Sequence, residues 1–168
     1  MDELLDLVNE SDQVIGQKRR SEVYQQRLRN FRVVNGFVIN SQGQFWIPRR
    51  TFDKKIFLGG LDFSVGGHVE SGESYETAFR REATEELGIN PNLTQFELIA
   101  YLSPYEHPIS AFMKVYKISM NTSPPYNPHD FLEAFWLTPT ALLAKLKQER
   151  QLPKSDLEKV IHILNLSL

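Results

Sequence analysis

The sequence predicts an α/β fold: a mixed β-sheet with helices against its faces. Three observations predict it. Runs of β-branched and aromatic residues bounded by Asn, Ser and Gly recur through the first 137 residues. One uninterrupted helical stretch lies in their midst, and two more close the chain, an order that puts helices on a sheet rather than in a separate bundle. With 168 residues, 41% apolar and 24% charged, the chain has the size and composition of one globular domain, about 100–200 residues. The expectation is a single domain over 1–168, with residues 1–30 as an N-terminal extension packed on it and 138–168 as C-terminal helices.

Taken in order, Asp12–Gln17 (DQVIGQ) reads as a short strand after a turn, and Arg19–Arg29 (RRSEVYQQRLR) as a short helix. Phe31–Asn40 and Gln44–Arg49 flank Ser41–Gln42–Gly43 and form a hairpin. Gly59–Gly60 and Gly66–Gly67 bracket a short extended piece, Leu61–Val65. Ser74 to Leu87 contains neither Gly nor Pro and is stopped by Gly88 and then Pro91, which predicts a helix with a C-terminal signal. Thr94–Leu102, Ile109–Met120 and Phe131–Leu137 read as strands, with a turn-rich loop at Ser123–Pro128. Thr138 and Pro139 open a helix as N-cap and first position, running to about Arg150. From Ser155, Leu157, Val160, Ile161, Leu164 and Leu168 follow the spacing of one buried helical stripe.

Composition excludes several classes of protein. A formal charge of −2 argues against a nucleic-acid polymer as partner, because such domains carry strongly basic surfaces. The absence of cysteine removes disulfides, thiolate zinc sites and cysteine nucleophiles, and suits a reducing, cytoplasmic setting. The acidic start Met1–Asp2–Glu3 is unlike a signal peptide, and no apolar run approaches the ~20 residues that span a bilayer, so no membrane partner is expected. The charge is unevenly distributed: residues 13–60 carry +8 and residues 61–106 carry −7. Brought together across a cleft, the acidic part would hold a cation and the basic part would attract phosphate.

The most informative segment is Gly67–Ile89, GHVESGESYETAFRREATEELGI. At about 100° per residue, Glu82, Glu85 and Glu86 share one helix face, while Phe79, Ala83 and Leu87 fall on an adjacent face suited to the core. Such a face is either solvated or built around a cation, since three close carboxylates otherwise raise one another's pKa. A hard divalent ion is the economical occupant, Mg²⁺ being held by a few carboxylates together with substrate phosphates. Arg81 stands where it can bond Glu73 of the preceding loop.

The whole segment fits G-x5-E-x7-R-E-U-x-E-E-x-G-U, where U is apolar or small, through Gly67, Glu73, Arg81, Glu82, Ala83, Glu85, Glu86, Gly88 and Ile89. At background frequencies of roughly 6% per residue type, its seven fixed identities arise by chance in about one sequence in a million. The segment resembles the signature of the Nudix hydrolase family, MutT-like pyrophosphatases, at every fixed position. The resemblance implies a Nudix-type α/β/α sandwich with a mixed β-sheet, and hydrolysis of a diphosphate linked to a further group X. It implies that Glu82, Glu85 and Glu86 bind Mg²⁺, with Mn²⁺ as a possible substitute, that Gly67 lends its carbonyl, and that Glu73 and Arg81 form a supporting pair. It also implies a general base among Glu86, Glu85 and Glu133, the last in a Glu-x-x-Trp arrangement with Trp136 similar to one in many relatives. Glu133 is otherwise a plain strand-edge residue.

Val8–Gly16, Arg49–Arg50 and Leu61–Val69 look like the branch that includes isopentenyl diphosphate isomerase. That reaction uses a cysteine where this chain has Gly66, and a metal histidine aligns with Phe31, so the isomerase mechanism cannot run here as known. His68 is then a structural or substrate-contacting residue. Arg49 and Arg50 alternate faces on a strand, so one could bind a substrate phosphate. Lys54 and Lys55 are weaker choices, and Trp46, Phe57, Tyr105 and Phe112 are either core or stacking surfaces for X. The expected partner is a small-molecule diphosphate, and the chain a monomer or homodimer. A Nudix-fold binding module without activity is the remaining alternative.

Overall fold

The structure, a computed structural model, describes residues 2–53, 57–90, 92–149 and 155–167. Its elements in chain order are β1 (Leu4–Val8), β2 (Val14–Arg19), α1 (Arg20–Gln25), β3 (Arg32–Ile39), β4 (Phe45–Arg50), β5 (Val65–His68), α2 (Tyr75–Leu87), β6 (Phe96–Leu102), β7 (Phe112–Ser119), β8 (Phe131–Leu137), α3 (Pro139–Gln148) and α4 (Leu157–Ser167). Strands β6, β7, β3, β4 and β8 form the main sheet in that order, and β5 pairs with β3. β3 and β7 are parallel and the remaining pairs antiparallel, so the sheet is mixed as expected.

The opening that becomes the functional site comes from a shared edge. The C-terminal end of β3 pairs with β4 through Val38 and Ile39, whereas Val33 to Gly36 pair with His68 to Val65 of β5. Where the ladder divides, the buried Ser64 hydroxyl accepts the Val38 N–H at 2.9 Å and donates to the Trp46 carbonyl. Without that bridge two backbone groups would be buried unpaired, each at a cost of about 1–3 kcal/mol. The extended piece after Gly60 thus meets β4 first, through an antiparallel bridge between Leu61 and Arg49, and passes to β3 as a strand from Val65.

Strand alternation assigns the two cores. Val34 and Val38 of β3, with Tyr116 and Ile118 of β7, face α2, where Phe79 stacks on Tyr116 at 4.5 Å between ring centroids. Phe37, Met113 and Val115 face α3 and α4, and the stripe Leu157, Val160, Ile161 and Leu164 is buried there. Each such side chain contributes about 1.5–3 kcal/mol on full burial.

Several expectations on local structure are refined. β1 was not legible: Leu4-Leu5-Asp6-Leu7-Val8 has no alternation of ordinary polar residues, yet Leu5 and Val8 are buried and Asp6, only 7% exposed, turns back to the loop after β5. α1 spans only Arg20–Gln25, because the chain reverses at Arg27 with a φ of +53°. Thr138 caps α3 by accepting the Ala141 N–H, as its sequence suggested. Pro91, Lys54, Lys55, Arg150 and Leu168 lie outside the described residues.

Candidate active site

α2 begins where the Ser74 hydroxyl accepts the Thr77 N–H at 3.1 Å, and ends at Gly88, whose φ of +60° suits a residue without Cβ. Its apolar face, Ala78, Phe79, Ala83 and Leu87, is buried in the first core, which fixes the rotation of the helix. Glu82 and Glu86 are thereby turned toward β5. The Gly66 N–H donates to Glu86 Oε2 at 3.0 Å. Glu82 lies so close to Gly67 that a Cβ there would stand 2.0 Å from its Oε1. The glycine pair is therefore a seat for two carboxylates.

Arg81 organises this seat. Its guanidinium donates to both oxygens of Glu73 at 2.9 Å, to the His68 carbonyl at 3.0 Å and to Glu82 at 2.7 Å. The paired arginine holds Glu73 below the ordinary carboxylate range. Burial pushes Glu82 up to about 7 despite Arg81, and pushes Glu86 well above the usual value despite the Gly66 N–H. Glu85 differs: its side chain is 60% exposed, and Arg81 stands 3.8 Å from it.

Glu82, Glu86, Gly66 and Gly67 border a cavity of about 480 Å³, within the usual range for a small-molecule site. Arg50 and Asp62, paired at 2.7 Å, border it too, with Phe57, whose φ is +54°. His68 borders it as well, its Nε2 2.9 Å from the Tyr24 hydroxyl and its Nδ1 3.1 Å from Glu3.

Two expected site residues are elsewhere. Arg49 points to the opposite face of β4, where it donates to Glu133 at 2.7 Å, to both oxygens of Glu149 at 2.8 and 3.0 Å, and to the Gly59 carbonyl. Glu133, opposite Arg49 in the β4–β8 ladder, belongs to that same network and does not border the cavity. Strand alternation sends neighbours to opposite faces, so the reading that one of the two arginines faces the cleft selects Arg50. Trp46 and Phe112, each 1% exposed, are core. Tyr105 is exposed and leans on Phe112. Glu3, Arg20, Tyr24, Asp62 and Lys159 border the cavity without having been singled out, because no local spacing marks them.

A fit for a divalent ion rests on the donor set. Among the described residues no group of three His, Cys, Asp or Glu forms a ready cage. What the cavity offers is two buried carboxylates, Glu82 paired with Arg81 on one side and Glu86 accepting the Gly66 N–H. That suits Mg²⁺, which keeps waters and shares its shell with substrate phosphates.

A mixed sheet between helices, with a loop–helix seat of carboxylates over paired glycines, defines the class: an α/β phosphohydrolase site. Comparison with known proteins makes it particular. The NUDIX domain family matches residues 29–156. An uncharacterized Nudix hydrolase of Nostoc sp. (strain PCC 7120) is 54% identical over 161 residues, covering 96% of this chain and 95% of its own. The crystal structure of DR0079 from Deinococcus radiodurans superposes with a TM-score of 0.88 at 45% identity, covering 96% of this chain and 99% of that one. An isopentenyl-diphosphate Delta-isomerase of Serratia proteamaculans is 36% identical over 101 residues, 60% of this chain and 56% of its own. The chain belongs to the Nudix hydrolase family and is a pyrophosphohydrolase, acting on diphosphate bonds.

Proposed function

We propose that the chain hydrolyses a diphosphate bond in a small organic diphosphate, such as a nucleoside-diphosphate-linked compound, with Mg²⁺ held by Glu82, Glu86 and, from the outer rim, Glu85. The observation that carries this is the seating of Glu82 and Glu86 against Gly66 and Gly67 in the cavity that Arg50 borders. When bound, Mg²⁺, or Mn²⁺ in its place, would neutralise phosphate charge and lower the pKa of bound water. The Gly67 carbonyl is a further oxygen donor in this reading. Arg50 binds a phosphate oxygen while Asp62 keeps its guanidinium in the cleft. Glu86, which borders the cavity beside Gly66, is the general base for the attacking water in this reading. Glu73 and Arg81 act by support: they fix the Glu82 carboxylate and the His68 backbone.

The same reading has one domain over 1–168, in the cytoplasm, as a monomer or homodimer. Its partner is a small-molecule diphosphate, with neither a nucleic-acid polymer nor a membrane. The isomerase alternative is disfavoured by position 66, where a Cβ would stand 2.7 Å from Asn35 Oδ1, so a cysteine there needs Asn35 to move. The test is phosphate release, with a coupled phosphatase, across NDP-sugars, dinucleotides, oxidised nucleotides and isoprenoid diphosphates. Mg²⁺-dependent release that Glu86→Gln removes is expected; no release from any of them overturns the proposal.

A further inference from the structure

Residues 2–28 precede the stretch matched by the family, yet they hold the segment between β5 and α2, which carries Glu73. That segment has four consecutive N–H groups to satisfy, from Glu70 to Glu73. Two are met within it: the Glu70 N–H donates to Glu73 Oε2 at 2.9 Å, and the Glu73 N–H to the Glu70 carbonyl at 3.0 Å. The other two are met by β1. The Ser71 N–H donates to the Leu4 carbonyl at 2.8 Å, beside an antiparallel bridge between Leu5 and Glu70, and the Gly72 N–H donates to Asp6 Oδ2 at 3.1 Å. Asp6 Oδ1 accepts the Ser71 hydroxyl at 2.8 Å, and Gln17, opposite Asp6 on β2, donates to that hydroxyl oxygen at 2.6 Å. Hydrogen bonds to an ionised acceptor are roughly twice as strong as neutral ones, so the buried Asp6 grips the segment firmly.

The β1–β2 hairpin is itself anchored. Leu5 is buried in one cluster with Val23, Phe31 and Ala111. At the hairpin's turn, Asp12 accepts the hydroxyl of Tyr75, the first residue of α2, at 2.8 Å, while Arg32 holds the same carboxylate at 2.6 Å. Glu73 therefore lies between two grips of the hairpin, one at Ser71 and Gly72 and one at Tyr75. From that position it clamps Arg81 through both oxygens, and Arg81 donates to Glu82. Movement of the segment is passed along these directional bonds to Glu82, in a site whose groups must stay within about 0.5 Å of their working geometry.

We propose that Asp6 is a positioning residue of the hydrolytic site: from β1 it fixes the segment that carries Glu73, and through Glu73 and Arg81 it sets the Glu82 carboxylate for the divalent ion. This rests on the metal reading above and extends that site to a hairpin outside the stretch the family matches.

The test is Mn²⁺ alone titrated into the full chain, with free Mn²⁺ read by electron paramagnetic resonance, independent of turnover. Losing an outer partner of a metal ligand weakens metal binding by about 10–100-fold, and Glu73→Gln should fall in that range. Asp6→Ala, one contact further out, should weaken it by about fivefold to tenfold, and the double variant should be no weaker than Glu73→Gln alone, as expected of a residue acting through Glu73. Ser71→Ala, which removes the hydroxyl and leaves the Gly72–Asp6 bond, should weaken it by about threefold and keeps the test open if Asp6→Ala does not fold. Leu142→Ala, buried on the opposite face of the sheet from α2, should lower Tm as much as Asp6→Ala or more, and leave Mn²⁺ affinity within about twofold. The proposal is overturned if Glu73→Gln has no effect, if Asp6→Ala and Ser71→Ala both stay within about twofold of the parent, if Leu142→Ala weakens Mn²⁺ binding as much as Asp6→Ala, or if the effects of Asp6→Ala and Glu73→Gln multiply. Failure of the hydrolytic reading would show separately, as this pattern of Mn²⁺ binding without phosphate release from any diphosphate.

Discussion

Gly67→Ala tests the site at its tightest point. The new Cβ would stand 2.0 Å from Glu82 Oε1, 2.1 Å from Cδ and 2.6 Å from Cγ, where carbon contacts are normally about 3.5–4.0 Å. The backbone of β5 is pinned to β3 by the Val34–Gly67 register, so Glu82 must yield by more than about one ångström. It does not yield freely. Arg81 donates to it at 2.7 Å and is itself clamped by both oxygens of Glu73 at 2.9 Å. Overpacking of this kind costs about 1–3 kcal/mol, which for a chain of this size lowers Tm by roughly 2–12 °C. The chain therefore folds. Activity suffers more, because a displacement of about 1 Å in a catalytic group lowers rate by about 100-fold. The assay is phosphate release against Mg²⁺ concentration, with thermal unfolding in metal-free buffer as the control. Activity within about threefold of the parent, at an unchanged Mg²⁺ half-saturation, would refute the seating of Glu82 on Gly67 as a functional feature.

Glu86→Gln should lower kcat by about 1,000-fold or more at saturating Mg²⁺ while preserving the circular-dichroism spectrum, since the amide fills the same buried space. Arg50→Ala should raise KM by about tenfold or more, whereas Arg49→Ala, which breaks the bonds among β4, Glu133 and Glu149, should chiefly lower stability by about 2–3 kcal/mol, read by urea unfolding. Asp6 gives a pH signature. Burial raises its pKa, but the Gly72 N–H, the Ser71 hydroxyl, Gln17 and the Arg32 charge outweigh burial and leave it below the ordinary value. Its stabilising effect is present above the ordinary aspartate range and is lost as pH falls through the lowered value. Asp6→Asn should therefore cost about 1–2 kcal/mol near pH 7 and progressively less in acid, and a constant difference across pH would contradict the assignment.

What the sequence disclosed was whatever rests on local spacing. Helix α2, its Ser74 and Gly88 caps and the common face of Glu82 and Glu86 follow from periodicity, and so does the alternation that separates Arg49 from Arg50. Glu85 shows the limit of that reasoning: it shares the face, but only packing against β5 decides which carboxylates are buried, and Glu85 stays 60% exposed. Tyr24, Glu3 and Lys159 were invisible for a different reason. They reach the cavity from α1, β1's approach and α4, over contacts spanning tens of residues, and no local pattern encodes such a meeting. Glu133 was misleading because its Glu-x-x-Trp spacing places it on a strand, and the strand's partner, Arg49, then holds it on the far face.

The charge pattern had a similar fate, with a consequence for binding. Of the basic segment 13–60, Arg32 is spent on Asp12, Arg29 on the carbonyls of Pro104 and Ile109, and Arg49 on Glu149. Arg20 and Arg50 border the cavity, joined by Lys159, against the carboxylates of Glu3, Asp62, Glu82, Glu86 and Asp156. Arg20 is paired with Glu3, Arg50 with Asp62 and Lys159 with Asp156, so without a metal ion the cavity has little uncompensated positive charge with which to cradle a polyanion. The basic segment alone therefore does not recruit substrate; the acidic pair and its divalent ion must. Binding of methylenediphosphonate, a diphosphate analogue that cannot be hydrolysed at its bridge, should fall by about tenfold or more when EDTA replaces Mg²⁺, and should recover on adding Mn²⁺. Equal affinity in EDTA and in Mg²⁺ would mean that Arg20, Arg50 and Lys159 hold the phosphates by themselves, and would remove the reason for placing the ion between Glu82 and Glu86.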